Sequence, residues 1–125
     1  MANILVVDDE LLVLNVLGSL LENLRHRVWK TGNARDALAL LNGREHFDLA
    51  VIDLVLTGIS GFDLIKQMRE KNPSLPIIAI SGYIDSKSIN AKEALYNLGV
   101  RGILEKPPSP LELATTVTAM LGKTP

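Results

Sequence analysis

Ile4-Leu5-Val6-Val7-Asp8-Asp9 decides the fold: four apolar residues without alternation, closed by two adjacent acids and followed by a helix-like pattern. An unalternated apolar run reads as a strand buried on both faces, as in a parallel sheet covered by helices on both sides. Two carboxylates at the mouth of such a strand repel each other and resist desolvation. A metal ion or a cationic side chain is needed to neutralise them.

The same grammar recurs along the chain. Leu49-Ala50-Val51-Ile52 runs into Asp53, Ile77–Ile80 into Ser81-Gly82, and Val100–Leu104 into Glu105-Lys106. A weaker run, Arg27–Lys30, has only Val28 and Trp29 as apolar residues. Between the runs lie stripes of helical period: Leu14, Leu17, Leu21 and Leu24; Ala34, Ala37, Leu38 and Leu41; Phe62, Ile65 and Met68. Ala91, Ala94, Leu95 and Leu98 make a fourth, and Ala114, Val117 and Leu121 a fifth. Gly43 and Gly99 follow helices, Pro73 and Pro76 bracket a turn, and Pro110 suits a first helical position. Five βα repeats predict a single doubly wound α/β domain, (βα)5, with a parallel sheet and helices on both faces. Polar groups at the strand carboxyl ends then gather in one crevice.

The bulk properties bound the function. The chain has 125 residues, 47% hydrophobic and 22% charged, which suits one globular domain. We read residues 1–121 as that domain and 122–125 as a tail or the start of a linker. A formal net charge of -1 predicts no nucleic-acid binding by the domain itself. The absence of cysteine excludes disulfides, a thiolate nucleophile and zinc–thiolate ligation. No apolar stretch reaches the roughly 18 residues that span a bilayer, and the start lacks signal-peptide character. The expectation is a soluble, cytoplasmic domain with no membrane contact.

Asp8, Asp9 and Asp53 at neighbouring strand ends suit a hard divalent cation such as Mg²⁺. Lys106 adds a compact positive charge that could pair with a carboxylate or a phosphoryl oxygen. The Ser81 hydroxyl and the backbone at Gly82 could bind phosphoryl oxygens. Such a constellation suits phosphoryl transfer to a carboxylate, which needs charge neutralisation and alignment more than covalent assistance.

With these residues in this order, the chain resembles the receiver domains of two-component response regulators. The resemblance runs from Asn3 to Leu121 and rests on Asp8-Asp9, Asp53 with Gly61 eight residues on, Ser81, and Lys106-Pro107. It implies a chemotaxis-Y-like, flavodoxin-like sheet of order 2-1-3-4-5. Asp53 would be the phosphoacceptor, taking a phosphoryl group from the phosphohistidine of a sensor histidine kinase or histidine phosphotransfer protein. Asp9, Asp53 and the Val55 carbonyl would ligate Mg²⁺ directly, with Asp8 acting through water. Lys106, Ser81 and Gly82 would hold the phosphoryl group, and the Lys106–Pro107 bond would be cis. A homodimer is compatible with the resemblance.

The sequence also departs from the family. Thr57 stands where proline is usual, Ile103 where the switch aromatic is usual, and Pro108 where phenylalanine commonly follows Lys-Pro. The stretch Tyr83–Ser88 lengthens the loop beside the crevice by about one helical turn, and Tyr83 could cover the pocket. Leu11 or Leu12, with Leu56 and Pro107-Pro108, could form an apolar rim for a helical phosphodonor, or be scattered surface residues. Two other functions stay open at this level: a Mg²⁺-dependent phosphatase with an aspartyl nucleophile, and a receiver-like binding module that is never phosphorylated. The leading expectation is a domain that catalyses only its own phosphorylation and dephosphorylation.

Overall fold

The computed structural model describes residues 1–56, 58–82 and 89–122. Thr57, Tyr83 with the rest of the Tyr83–Ser88 stretch, and the tail from 123 onward lie outside the described residues. Strands β1 (Asn3–Val7), β2 (Arg27–Thr31), β3 (Leu49–Asp53), β4 (Ile77–Ser81) and β5 (Val100–Glu105) alternate with five helices. These are α1 (Leu11–Asn23), α2 (Ala34–Leu41), α3 (Gly61–Lys71), α4 (Ile89–Asn97) and α5 (Pro110–Leu121). All strand pairs are parallel, in the order β2-β1-β3-β4-β5.

The unalternated strands are explained by two cores, one on each face of the sheet. Successive side chains of a strand point to opposite faces. Ile4, Val6, Leu49, Val51, Ile78 and Ile80 therefore meet α1 and α5, through Leu14, Leu17, Leu21, Leu113 and Val117. Their neighbours Leu5, Val7, Ala50, Ile52, Ile77 and Ala79 meet α2, α3 and α4, through Ala34, Ala37, Leu64, Ile65, Met68 and Leu95.

Four positions depart from the helical stripes. Leu24 is exposed because it falls on the C-cap of α1, after the last buried turn. Ala94 is exposed as well, whereas Leu64 and Leu113, outside the expected stripes, are fully buried. Ser109 caps α5 by accepting the Glu112 N–H at 3.0 Å, with Pro110 at the first helical position, where its missing N–H costs nothing.

The weak run forms an edge strand. Trp29 on β2 meets the buried Phe47 edge-to-face, ring centroids 5.3 Å apart, and the Arg27 guanidinium lies 5.0 Å from the centre of the indole. Aromatic burial at Trp29 offsets the polar residues around it, and charged side chains on an edge discourage pairing with another chain. Among the described residues, no helix is long and apolar enough to cross a membrane.

Candidate functional site

Strand register brings the acids together. Val7 pairs with Ile52, so the next residues, Asp8 and Asp53, emerge level from adjacent strands β1 and β3. On the far side, Ser81 pairs with Glu105, and the Lys106 N–H donates to the Ser81 carbonyl at 2.7 Å. That bond turns the chain out of β5 at the crevice. The following Lys106–Pro107 peptide bond is cis.

The side chains meet above the sheet edge. Lys106 Nζ lies 2.9 Å from Asp53 Oδ2 and 3.3 Å from Asp8 Oδ2, and it also touches Glu10 Oε1. Asp8 and Asp53 are only 1% and 2% exposed, and the lysine side chain 11%. Their second oxygens are held by backbone: Asp8 Oδ1 accepts the Glu10 N–H at 2.9 Å, and Asp53 Oδ1 accepts the Val55 N–H at 3.0 Å. Both carboxylates are fixed before any ligand arrives.

The electrostatics are unbalanced. Carboxylate oxygens of Asp8, Glu10 and Asp53 lie within 4.8 Å of one another, and among the described residues one ammonium serves all three. Within this group of described residues, three negative charges against one positive leave an excess of two. Burial pushes the Asp8 carboxyl above its ordinary value, and the Asp53 charge adds to that; the Glu10 N–H and Lys106 oppose it without cancelling it. Burial works against the Lys106 ammonium too, but hydrogen bonds to Glu10 and Asp53, with the charges of Asp53 and Asp8, outweigh it and push the lysine up. Asp8 Oδ2 is fully buried and accepts no hydrogen bond from the described residues, although the ammonium is close by. A buried oxygen without a donor and two uncompensated charges fit a divalent cation with oxygen ligands.

The remaining expected residues surround this cluster. Asp9, Val55 and Gly82 line a groove of about 430 Å³ together with Glu10, Asp53, Leu56 and Lys106. Asp9 is exposed and stands outside the tight group of three carboxylates, in which Glu10 takes part instead. Val55 is 70% exposed beside the groove, and Ser81 is buried at the end of β4. Gly82 leaves open space where a side chain would begin. Gly61 has the opposite reason to be glycine: a Cβ there would lie 2.5 Å from the Asp53 carbonyl oxygen and from Leu54 Cα. Its N–H donates to the Leu54 carbonyl at 3.0 Å, so the start of α3 packs directly on the chain leaving Asp53.

Glu10 is the site residue the sequence reading passed over. Its signal was its place directly after the acid pair, ahead of a helix start. A second cleft, of about 440 Å³, lies at the other end of the sheet beside Arg69, Ser74, Leu75, Gly99, Arg101 and Met120. None of the described residues lining it carries a carboxylate, so volume does not separate the two clefts but chemistry does.

Comparison with known proteins agrees with the geometry. The profile of the response regulator receiver domain family matches residues 4–118. The response regulator SaeR of Staphylococcus aureus is 27% identical over 123 residues, covering 97% of this chain and 51% of SaeR. The chain spans about half or less of the length of the curated relatives it matches. A CheY-like receiver domain protein from Methanospirillum hungatei superposes with a TM-score of 0.88 at 26% identity, covering 97% of this chain and 94% of the other. TrrA of Thermotoga maritima, solved in complex with Mg²⁺ and BeF, gives a TM-score of 0.82 at 27% identity, covering 97% of this chain and all of TrrA (100%).

Proposed function

Because the chain belongs to the receiver domain family of two-component response regulators, we propose that Asp53 is its phosphoacceptor and that Asp8 and Asp9 serve Mg²⁺ beside it. The observation that carries this reading is the ammonium of Lys106 bridging two buried carboxylates with two negative charges left over. In the reaction, a carboxylate oxygen of Asp53 forms a bond to phosphorus as the P–N bond of a phosphohistidine breaks. The imidazole leaves with the electron pair of that bond. Asp53 and Asp8, with Asp9 and the Val55 carbonyl at the rim, would hold Mg²⁺. When bound, the ion would supply the positive charge needed by the phosphoryl oxygens and the carboxylates.

The chain's own groups do the positioning. The Val55 N–H fixes the rotation of the Asp53 carboxylate. Lys106 receives one phosphoryl oxygen, while the Ser81 hydroxyl and the Gly82 backbone serve another. The Gly82 surface has room for close approach. Residues 1–121 act as the receiver unit.

Partner binding has a candidate surface. Leu11, Leu12 and Val16 of α1 are 70%, 79% and 55% exposed, and Leu111 at the start of α5 is 77% exposed. Leu56 and Pro108 are buried, which limits their share of the expected rim. Four apolar side chains on the helices of one face, beside the crevice, support docking of a helical histidine-bearing kinase or phosphotransfer domain.

Incubation with a small phosphodonor and Mg²⁺ tests the acceptor. Wild type takes up about one acid-labile phosphoryl group per chain, and Asp53→Asn takes up none. Equal labelling of the two proteins would remove Asp53 from the role. Steady turnover of a phosphomonoester would point to a phosphatase instead.

A further inference from the structure

Lys106 has three N–H donors, and all three are engaged: by Asp53 Oδ2 at 2.9 Å, by Asp8 Oδ1 at 3.4 Å, and by Glu10 Oε1. A phosphoryl oxygen arriving at this ammonium must displace one of them. The three differ in what release costs. Asp8 and Asp53 are 1% and 2% exposed, so either would be left as a buried charge with a lost partner. The Glu10 side chain is 62% exposed and returns to water at little cost. Its carboxylate makes no capping bond to α1, while its backbone is anchored on both sides, N–H to Asp8 Oδ1 and carbonyl to the Leu14 N–H. The side chain can therefore swing without disturbing the helix start.

We propose that Glu10 is a positioning residue for phosphoryl acceptance: it occupies the third donor of Lys106 in the resting domain and is the partner displaced by the incoming phosphoryl oxygen. The inference rests on the receiver reading of the site. In the resting state Glu10 keeps the ammonium centred over Asp8 and Asp53. In the loaded state it points to solvent at the rim of the groove. The carboxylate is thus an internal competitor that weakens retention of the phosphoryl group.

Beryllofluoride, a phosphoryl mimic, tests this at saturating Mg²⁺, so that differences in metal affinity do not enter. Glu10→Gln should bind the mimic about two- to five-fold more tightly than wild type, the range expected for an exposed ion pair. In parallel, the side-chain carboxyl ¹³C resonance of Glu10 should move when wild type is loaded. Its new position should match that in unloaded Lys106→Met, where Glu10 has also lost its partner. Equal or weaker binding by Glu10→Gln overturns the proposal, as does a Glu10 resonance that loading leaves in place. A wild-type protein that binds no beryllofluoride with Mg²⁺ overturns the receiver reading itself and this proposal with it.

Discussion

The two ends of the sheet each hold a cluster built on one long cation, and they solve opposite problems. At the amino-terminal end, Arg69 of α3 donates to the carbonyls of Leu98 (2.5 Å), Leu75 (2.6 Å), Gly99 (3.1 Å) and Asn72 (3.3 Å). Those oxygens belong to the turns after α3 and α4, where helical carbonyls lack internal partners. One guanidinium thus serves four acceptors, of which the Asn72 carbonyl also accepts the Leu75 N–H, and it does so without a carboxylate partner among the described residues. At the carboxyl-terminal end, among the described residues, one ammonium faces three carboxylates and cannot neutralise them. The first cluster is closed and holds structure; the second is left wanting a dication and is where chemistry belongs.

If that contrast is right, damage to the two ends should look different. Arg69→Met should destabilise the domain by about 2–4 kcal/mol in urea unfolding, because the carbonyls of Leu98, Leu75 and Gly99 lose the guanidinium donor. Phosphoryl labelling below the melting transition should persist. Loss of labelling in a folded Arg69→Met protein would show that the two ends are not separable.

Gly61→Ala should come next, at about 1–3 kcal/mol. The new methyl group meets backbone at 2.5 Å, and backbone cannot yield as a side chain can. This change should also slow labelling, since the strain falls on Asp53 and Leu54. A variant as stable and as reactive as wild type would contradict the close packing described.

Asp8→Asn should have the opposite sign. Burial disfavours the ionised Asp8, so neutralising it should stabilise the Mg²⁺-free protein by about 1 kcal/mol while weakening Mg²⁺ binding. Thermal melts with and without Mg²⁺ would read both effects. Destabilisation in the absence of Mg²⁺ would mean that Lys106 already compensates the cluster.

The smallest effect separates the ends by pH. The Asp8 carboxyl is raised, so its favourable contribution is present in acid and fades as pH rises through its folded value. At the other end, the half-buried His26 accepts the Ala2 N–H at 3.1 Å, and burial lowers its imidazole. Its contribution is present above about 6.5 and is lost as pH falls through the lower folded value. His26→Gln should therefore flatten the stability loss between about pH 6.5 and 5, seen as a smaller slope in urea midpoints. An unchanged slope would place the acid sensitivity elsewhere.

Much of this was legible in the chain. Apolar runs ending in Asp8, Asp53 and Lys106 gave strand ends, and parallel topology alone obliges those ends to converge. What stayed hidden depends on long-range partners. Arg69 looks like any polar residue on a helix until the turns around 72–75 and 98–99 fold over it. Glu10 looks like a first-turn acid, because its partner lies 96 residues away. Phe47, which sits in a loop, and Leu113 are buried by what packs on them, and no local period announces that. His26 reads as a surface residue for the same reason, though its ring is bonded to Ala2.

The central claim is that the unbalanced end of the sheet exists to phosphorylate Asp53. Trapping the phosphorylated protein with borohydride, which reduces an aspartyl phosphate to homoserine, and mapping the product by mass spectrometry tests it directly. The conversion should appear at Asp53 alone and only when Mg²⁺ was present during labelling. Conversion at Asp8 or Asp9, or labelling that is indifferent to Mg²⁺, would contradict it.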